Sequence, residues 1–369
     1  MNRVILPLIW VAAWLPAPAL SAQTPDTLPP AASDEDYSQY EHVQFADDGA
    51  RSYCHPKILD LAPQRFVSIG WDAQASYRMQ SSALGEYQGD DDPAVAEESD
   101  VRYTGGLRLT ANVPVVSRNS VVWQVGANYW DVRYDLNPVF ALSESAGLHA
   151  RLADRGLRTL GLNTTVFKPL DAKQFLYVQA GADLNGDYTF SDFQPLRYLR
   201  YSAAVVWGKR PSDYKQWGIG LSRTYRVGEL NYLPVLLFNW TSPNRKWGVE
   251  TLLPARAHVR RTFSPRSLML AGFELEGQSY RIEALSDGDN SFEIRRSELR
   301  IRLEYQRQIA GFFWVSAQTG LRNDWRFHGD ELEGGRDFFR GFFGDQPYAM
   351  LNNLGNALYL NIGVHLVSP

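Results

Sequence analysis

The stretch VSIGWDAQASYRM, residues 67–79, decides how the chain is read. Val67, Ile69, Trp71, Ala73, Ala75, Tyr77 and Met79 are apolar. Ser68, Gly70, Asp72, Gln74, Ser76 and Arg78 between them are small or polar. Strict two-residue alternation marks a strand with one apolar face and one polar face. The run is about twice as long as the usual strand of a soluble domain. Period two alone leaves the direction of each face open. A soluble barrel or sandwich buries its apolar face. A membrane barrel turns that face to lipid and lines its lumen with the polar one.

The same pattern recurs along the chain. Val101, Tyr103, Leu107, Leu109, Ala111, Val113 and Val115 alternate with polar residues, as do Val121 to Tyr129, Leu176 to Leu184, Leu299 to Tyr305 and Leu358 to Leu366. The connections are short turns (SRNS at 117–120, PLDAK at 169–173, RPSD at 210–213, SPNR at 242–245, SPRS at 264–267, RQIAG at 307–311) or long segments such as 135–157 and HGDELEGGRDFFRGFFGDQPYAMLNNLG. Short turns at one end and long loops at the other are the mark of an up-and-down membrane barrel. The strands are long enough to cross a bilayer when tilted. About a dozen amphipathic strands of one type fit one closed barrel without an edge, whereas a soluble domain built from them would be very large. The expected fold is all-β: an antiparallel up-and-down transmembrane β-barrel of about 14 strands. The doubtful region is TLLPARAHVRRTF. If Leu253 and Pro254 form a tight turn the count is 14; if the stretch is one strand, 12 is the alternative. Phase slips at Tyr129 and Trp130, and around Tyr280, read as bulges or loop entry.

The N-terminus reads as an export signal over residues 1–22: Arg3, then ILPLIWVAAWLPAPAL, then small residues, with cleavage after Ala22 or Ser21. Pro7, Pro16 and Pro18 argue against a spanning helix. Residues 23–62 read as an acidic, largely flexible periplasmic segment, and 63–367 as the barrel in the bacterial outer membrane. From Gln23 to Ala50 there are seven acids and no Lys or Arg, while the chain from Arg51 onward carries +2. That balance gives no footprint for nucleic acid. One cysteine, Cys54, excludes an intrachain disulfide.

The stretch from Gln216 to Ile282, with YLPVLLFNW and WGVETLLPARAHVRRTFSPRSLMLAGFELEG, resembles a family of Gram-negative outer-membrane β-barrels known only as proteins of unknown function. The resemblance is looser over the rest of the mature chain. It implies a barrel in outer-membrane lipid, reached with the barrel assembly machinery and periplasmic chaperones, and it implies no reaction. Such barrels usually end on an aromatic residue, whereas this sequence ends in LVSP.

Inward, lumen-lining positions are expected at Asp72, Gln74, Arg78, Arg102, Arg108, Glu250, Arg256, His258, Glu274, Glu276, Gln278, Glu298, Arg300, Arg302 and Glu304. Trp71, Tyr77, Trp123, Trp207, Trp217, Phe273, Tyr305 and Phe313 are expected to meet lipid or form the aromatic girdles. LMLAGFELEGQSYRI and FEIRRSELRIRLEYQ read as a hairpin centred near Gly288, with Glu276 opposite Arg300, Glu274 opposite Arg302 and Gln278 opposite Glu298. Such charges serve either as a structural ladder or as a selectivity zone. SESAGLHARLADRG reads as a short helix, Leu148 and Leu152 one turn apart, packed into the barrel mouth or exposed in a loop. The four Phe of RDFFRGFFGD need burial or a partner.

No cofactor motif or phosphate-binding loop is present. Cys54 beside His55, and Asp90, Asp91 and Asp92, are weak signals for a metal. His258 and His365 lack a local serine–carboxylate arrangement. The leading functional expectation is a pore or passive uptake route for small solutes through a polar, salt-bridged lumen. The alternatives are a plugged barrel with a structural or surface-binding role and, last, an outer-membrane lipid-modifying enzyme.

Overall fold

The computed structural model describes residues 53–367 except 89, 192–194, 225–230, 284, 286–291 and 332–347. The signal, the acidic tail to residue 52 and the RDFFRGFFGD loop lie outside the described residues. Alternating residues form sixteen strands in chain order: β1 (Arg65–Gln74), β2 (Tyr77–Ser82), β3 (Val95–Arg118), β4 (Val121–Ala141), β5 (Leu157–Pro169), β6 (Gln174–Gly186), β7 (Leu199–Ser212), β8 (Lys215–Thr224), β9 (Asn231–Thr241), β10 (Trp247–Leu253), β11 (Arg256–Ser264), β12 (Ser267–Ile282), β13 (Phe292–Ala310), β14 (Phe313–Glu331), β15 (Asn352–Leu354) and β16 (Ala357–Val367). One helix, α1 (Leu148–Arg155), joins β4 to β5.

β1 and β2 are two halves of one stave, as are β15 and β16. β1 pairs with both β3 and β16, which closes the sheet into a barrel of fourteen antiparallel staves. Leu253 and Pro254 sit at the tight β10–β11 turn, the alternative that gives fourteen. Closure satisfies the backbone hydrogen bonds that lipid cannot. Ile69, Trp71, Leu162, Ile219, Ile301, Leu358 and Ile362 point outward and are 50–65 % exposed, whereas Asp72 and Gln74 are 3 % exposed and point inward. No described helix is long and apolar enough to cross a membrane; the strands do so.

The staves do not all rise to the same height. Gly186 at the end of β6 bridges Arg281 of β12, and the Asp187 N–H donates to the Arg281 carbonyl at 3.2 Å. This contact skips β7–β11 and closes a collar of nine staves at the long-loop end. Rings near eight strands enclose only enough space for side chains to fill, and the collar is filled. Tyr77, Met79, Val101, Trp130, Val132, Tyr134, Tyr280, Ile282, Ile294, Phe327 and Met350 form one apolar cluster inside it.

The collar begins where several staves kink. β1 breaks from β2 at Ala75 and Ser76, and β15 from β16 at Gly355 and Asn356. Register shifts fall between Val101 and Tyr103 on β3 and between Ser297 and Glu298 on β13. These kinks correct three expectations. Alternation reverses after Ser76, so Tyr77 is buried inside and not in a lipid girdle: its hydroxyl lies 2.9 Å from Thr104 Oγ1. Arg78 consequently points away from the lumen, paired with Asp100 at 3.3 Å. The β3 bulge does the same to Arg102, which pairs with Asp135 at 2.6 Å on the exposed side.

The apparent slips at Trp130 and Tyr280 are not bulges. Both strands keep their phase, and it is the inner face that changes from polar lumen to apolar collar. The β12–β13 register is also offset by two residues from the expected hairpin. Glu274 lies opposite Arg300, Glu276 opposite Glu298 and Gln278 opposite Arg296. An even offset keeps every side chain on its face, so the acid–arginine pairs form diagonally.

Candidate functional site

Below the collar the barrel interior holds a layer of paired charges. Arg300 reaches Asp72 at 2.7 Å, Glu298 at 2.6 Å and Glu276 at 3.3 Å. Arg108 bridges Asp72 and Glu276 at 2.8 and 2.6 Å. Arg296 pairs with Glu298 at 2.6 Å, Arg322 with Asp324 at 2.9 Å, and Arg302 with Glu304 at 2.6 Å. Glu274 binds Arg302, and Arg65 binds Glu304. The aromatic rings above cover these cations. The Arg108 guanidinium lies 3.8 Å from the Trp130 ring centre and that of Arg322 lies 4.2 Å from Tyr77. Arg300, Arg322, Glu298 and Asp72 are each 3 % exposed or less. A charge this buried is tolerable only when paired. The layer has the features of a structural tie between staves that are distant in sequence.

Helix α1 seals the collar. Its Leu148 and Leu152 are fully buried in the apolar cluster, and Gly156 ends it at φ 65°, where glycine is favoured. The Glu97 carboxylate of β3 accepts from the His149 N–H at 3.5 Å, and Arg151 ties the outer face to Asp187 at 2.5 Å. His149 is 2 % exposed, with Nε2 2.9 Å from Ser81 Oγ and Nδ1 2.8 Å from Ser99 Oγ. A neutral imidazole satisfies both serines, and burial lowers its pKa to about 4. The unfolded side chain titrates near 6.5. Between those values the undocked helix takes up a proton that the docked one refuses. Docking is therefore at full strength above about pH 6.5 and weakens as the pH falls towards 4. The Glu97 carboxylate, 3.8 Å from Nδ1, opposes this without overturning it. Hydrogen exchange of the α1 amides, corrected for intrinsic rates, should accelerate over that pH range in the wild type and not in His149→Gln.

The short-turn half of the barrel keeps open space. Residues 53–64 form a strap across this end, although the sequence reads as a flexible tail up to residue 62. The Cys54 N–H donates to the Asp171 carbonyl at 2.9 Å, the Leu59 N–H to the Asp213 carbonyl at 2.8 Å, and the Ala62 N–H to Glu250 Oε1 at 2.9 Å. Between strap and wall lies a cavity of about 330 Å³ lined by Lys57, Leu61, Val122, Phe167, Phe175, Tyr177, Val206, Leu237, Leu252 and Arg256. It adjoins a polar cavity of about 620 Å³ against Glu250, Arg256, His258, Glu274, Glu276, Arg300 and Arg302. Arg256 is exposed although it points inward, because it stands at the tip of the short β10–β11 hairpin.

Of the remaining expected inward positions, Gln74 accepts from Arg322 at 2.8 Å, Gln278 accepts from Thr159 at 3.2 Å, and His258 is 5 % exposed. Trp71, Trp123, Tyr305 and Phe313 are exposed on the outer face. Trp207 and Trp217 stack edge-on there at 5.9 Å, and Phe273 is half-buried on the same face. Cys54 is buried, which pushes its thiol pKa up, and His55 Nδ1 accepts from the Lys57 N–H at 3.2 Å. Among the described residues, no group of three or more His, Cys, Asp or Glu could hold a metal ion. Arg296, Arg322 and Lys57 were not among the expected site residues. Arg296 and Arg322 share the two-residue phase of Glu298 and Asp324, whereas Lys57 belongs to no periodic stretch.

A closed fourteen-stave wall, apolar outside and lined with charged and polar groups inside below its collar, defines a membrane-spanning β-barrel of the outer-membrane kind. The chain belongs to the family described as Domain of unknown function (DUF6268), which it matches over residues 130–367. Among solved structures it is similar to an outer membrane channel from Pseudomonas putida F1 (12% identity, 82% of this chain and 96% of that one, TM-score 0.35). It is also similar to the Pseudomonas putida toluene transporter TodX (8%, 86% and 95%, TM-score 0.34) and to the outer membrane protease OmpT from Escherichia coli (8%, 82% and 97%, TM-score 0.30). No curated protein matches the sequence.

Proposed function

We propose that this barrel resides in the outer membrane and is a passive uptake route for small solutes. The route does not run through the salt-bridged layer, whose central groups are buried and ion-paired with one another, but beside it. The observation that carries the reading is the low β10–β11 wall next to an open cavity. β10 has seven residues and β11 nine. A seven-residue strand spans about 23 Å, or about 16 Å of membrane depth at a 45° tilt, against an apolar belt of about 25 Å. A solute passing over this rim enters the cavity under the collar and leaves past the strap at the periplasmic mouth. The lipid of the outer membrane is then the partner of the outer face, and the assembly machinery and periplasmic chaperones are partners during biogenesis.

A catalytic role has less support. Both ring nitrogens of His365 are taken by serines, Ser316 Oγ at 2.7 Å and Ser68 Oγ at 2.9 Å, which leaves no place for the carboxylate of a triad. The test is entry of membrane-impermeant small solutes into proteoliposomes. Entry should exceed that of protein-free vesicles, and Leu252→Trp, which fills the rim, should slow it severalfold. Equal entry with and without protein would overturn the reading.

A further inference from the structure

The cavity under the collar is two-faced. One wall is apolar, from Phe167, Phe175, Val206 and Leu237. Its one lining acid is already spent: Glu250 faces Arg260 at 3.3 Å and accepts from the Ala62 N–H. In the adjoining polar cavity Glu274 and Glu276 bind Arg302, Arg108 and Arg300. Two cations remain. Arg256 and Lys57 line the same cavity and make no ion pair among the described residues. Arg256 comes from the wall at the rim, and Lys57 from the strap. Burial lowers the Lys57 ammonium below the ordinary lysine range, and among the described residues no carboxylate offsets it. An anionic group between the two would relieve that cost, and charge-assisted hydrogen bonds to a guanidinium are among the strong ones.

We infer that this cavity binds a small amphipathic anion, its apolar body against Phe167, Phe175 and Leu237 and its charged head between Arg256 and Lys57. The volume, about 330 Å³, falls within the range of small-molecule sites. The inference deepens the proposed uptake role by naming the class of solute, and it rests on the cavity being open to solutes. The route explains why the head group is met at the rim: Arg256 is the first inward charge that a solute passes below the β10–β11 turn.

The test uses the full-length barrel in nanodiscs, titrated with naphthalene-2-sulfonate and with its neutral counterpart naphthalene-2-sulfonamide, against empty nanodiscs. The sulfonate should bind about tenfold more tightly than the sulfonamide. The double variant Arg256→Gln, Lys57→Gln should lose that preference while still binding the naphthalene ring. Arg256→Lys should retain most of it, which separates lost charge from lost fold, and heat-modifiable gel mobility reports folding of every variant. Equal binding of the two probes, binding of neither, or a preference unchanged in the double variant would overturn the inference. Proteoliposome entry separates the two claims. A sulfonate that binds with this preference but does not enter removes the uptake role and leaves the site. A sulfonate that enters without preferential binding does the reverse.

Discussion

Arg300→Ala is expected to cost the barrel about 3–5 kcal/mol, because it removes the cation shared by three carboxylates and leaves two arginines to balance three acids. Arg300 is 2 % exposed and within 3.3 Å of three acids, Asp72, Glu276 and Glu298, from three staves. Arg108 keeps its contacts with Asp72 and Glu276, and Arg296 with Glu298, but each reaches its acids from another side and does not fill the vacated centre. Urea unfolding in lipid vesicles, read by heat-modifiable gel mobility, measures the loss. Arg300→Met combined with Asp72→Asn should recover part of it, since Arg296 still pairs with Glu298 and Arg108 with Glu276, and no acid of the trio is left over. Arg102→Ala is the contrast. Its pair with Asp135 lies exposed and should contribute no more than about 1 kcal/mol. If the two single variants lost the same stability, the layer would not be the tie described.

The second large effect is expected at Leu152. Its side chain is fully buried in the collar, so Leu152→Asp places a carboxylate where no partner exists. An unpaired buried charge costs several kcal/mol, and α1 can escape it by undocking. Arg151 and Arg155 then become available to trypsin. In the wild type Arg151 is held by Asp187. The expected result is rapid cleavage of the variant between β4 and β5 with the strands still folded, and resistance of the wild type. A variant as resistant as the wild type would mean that the collar does not hold the helix.

The wall was legible in the sequence because lipid enforces a strict period. Val67, Ile69 and Trp71 outside with Asp72 and Gln74 inside follow from alternation alone. The acids and arginines of β12 and β13 were legible as one face for the same reason. Their exact opposites were not, because an offset of two residues changes partners without changing faces. The collar was hidden by the same logic. Trp130, Tyr134 and Tyr280 look like lipid-facing residues that have slipped, since a one-sided rule assumes a polar interior. What makes the interior apolar there is the β6–β12 contact, which joins residues 95 positions apart through Gly186 and Arg281. No local pattern carries it. Arg78 and Arg102 were misplaced by kinks at Ala75, Ser76 and Tyr103 whose cause is the same change of barrel width. The strap escaped notice because Lys57 and Leu61 belong to no periodic stretch.

The collar and the charged layer fill the lumen at the long-loop end, and the solute path we propose lies beside them. Conductance of the purified wild-type barrel in a planar lipid bilayer reads out whether the lumen is closed. The expected result is no steady ohmic current in salt, because hydrated ions find the collar filled with apolar side chains and the charged layer below it packed. A steady current typical of an open, water-filled fourteen-strand barrel would show the lumen to be open instead.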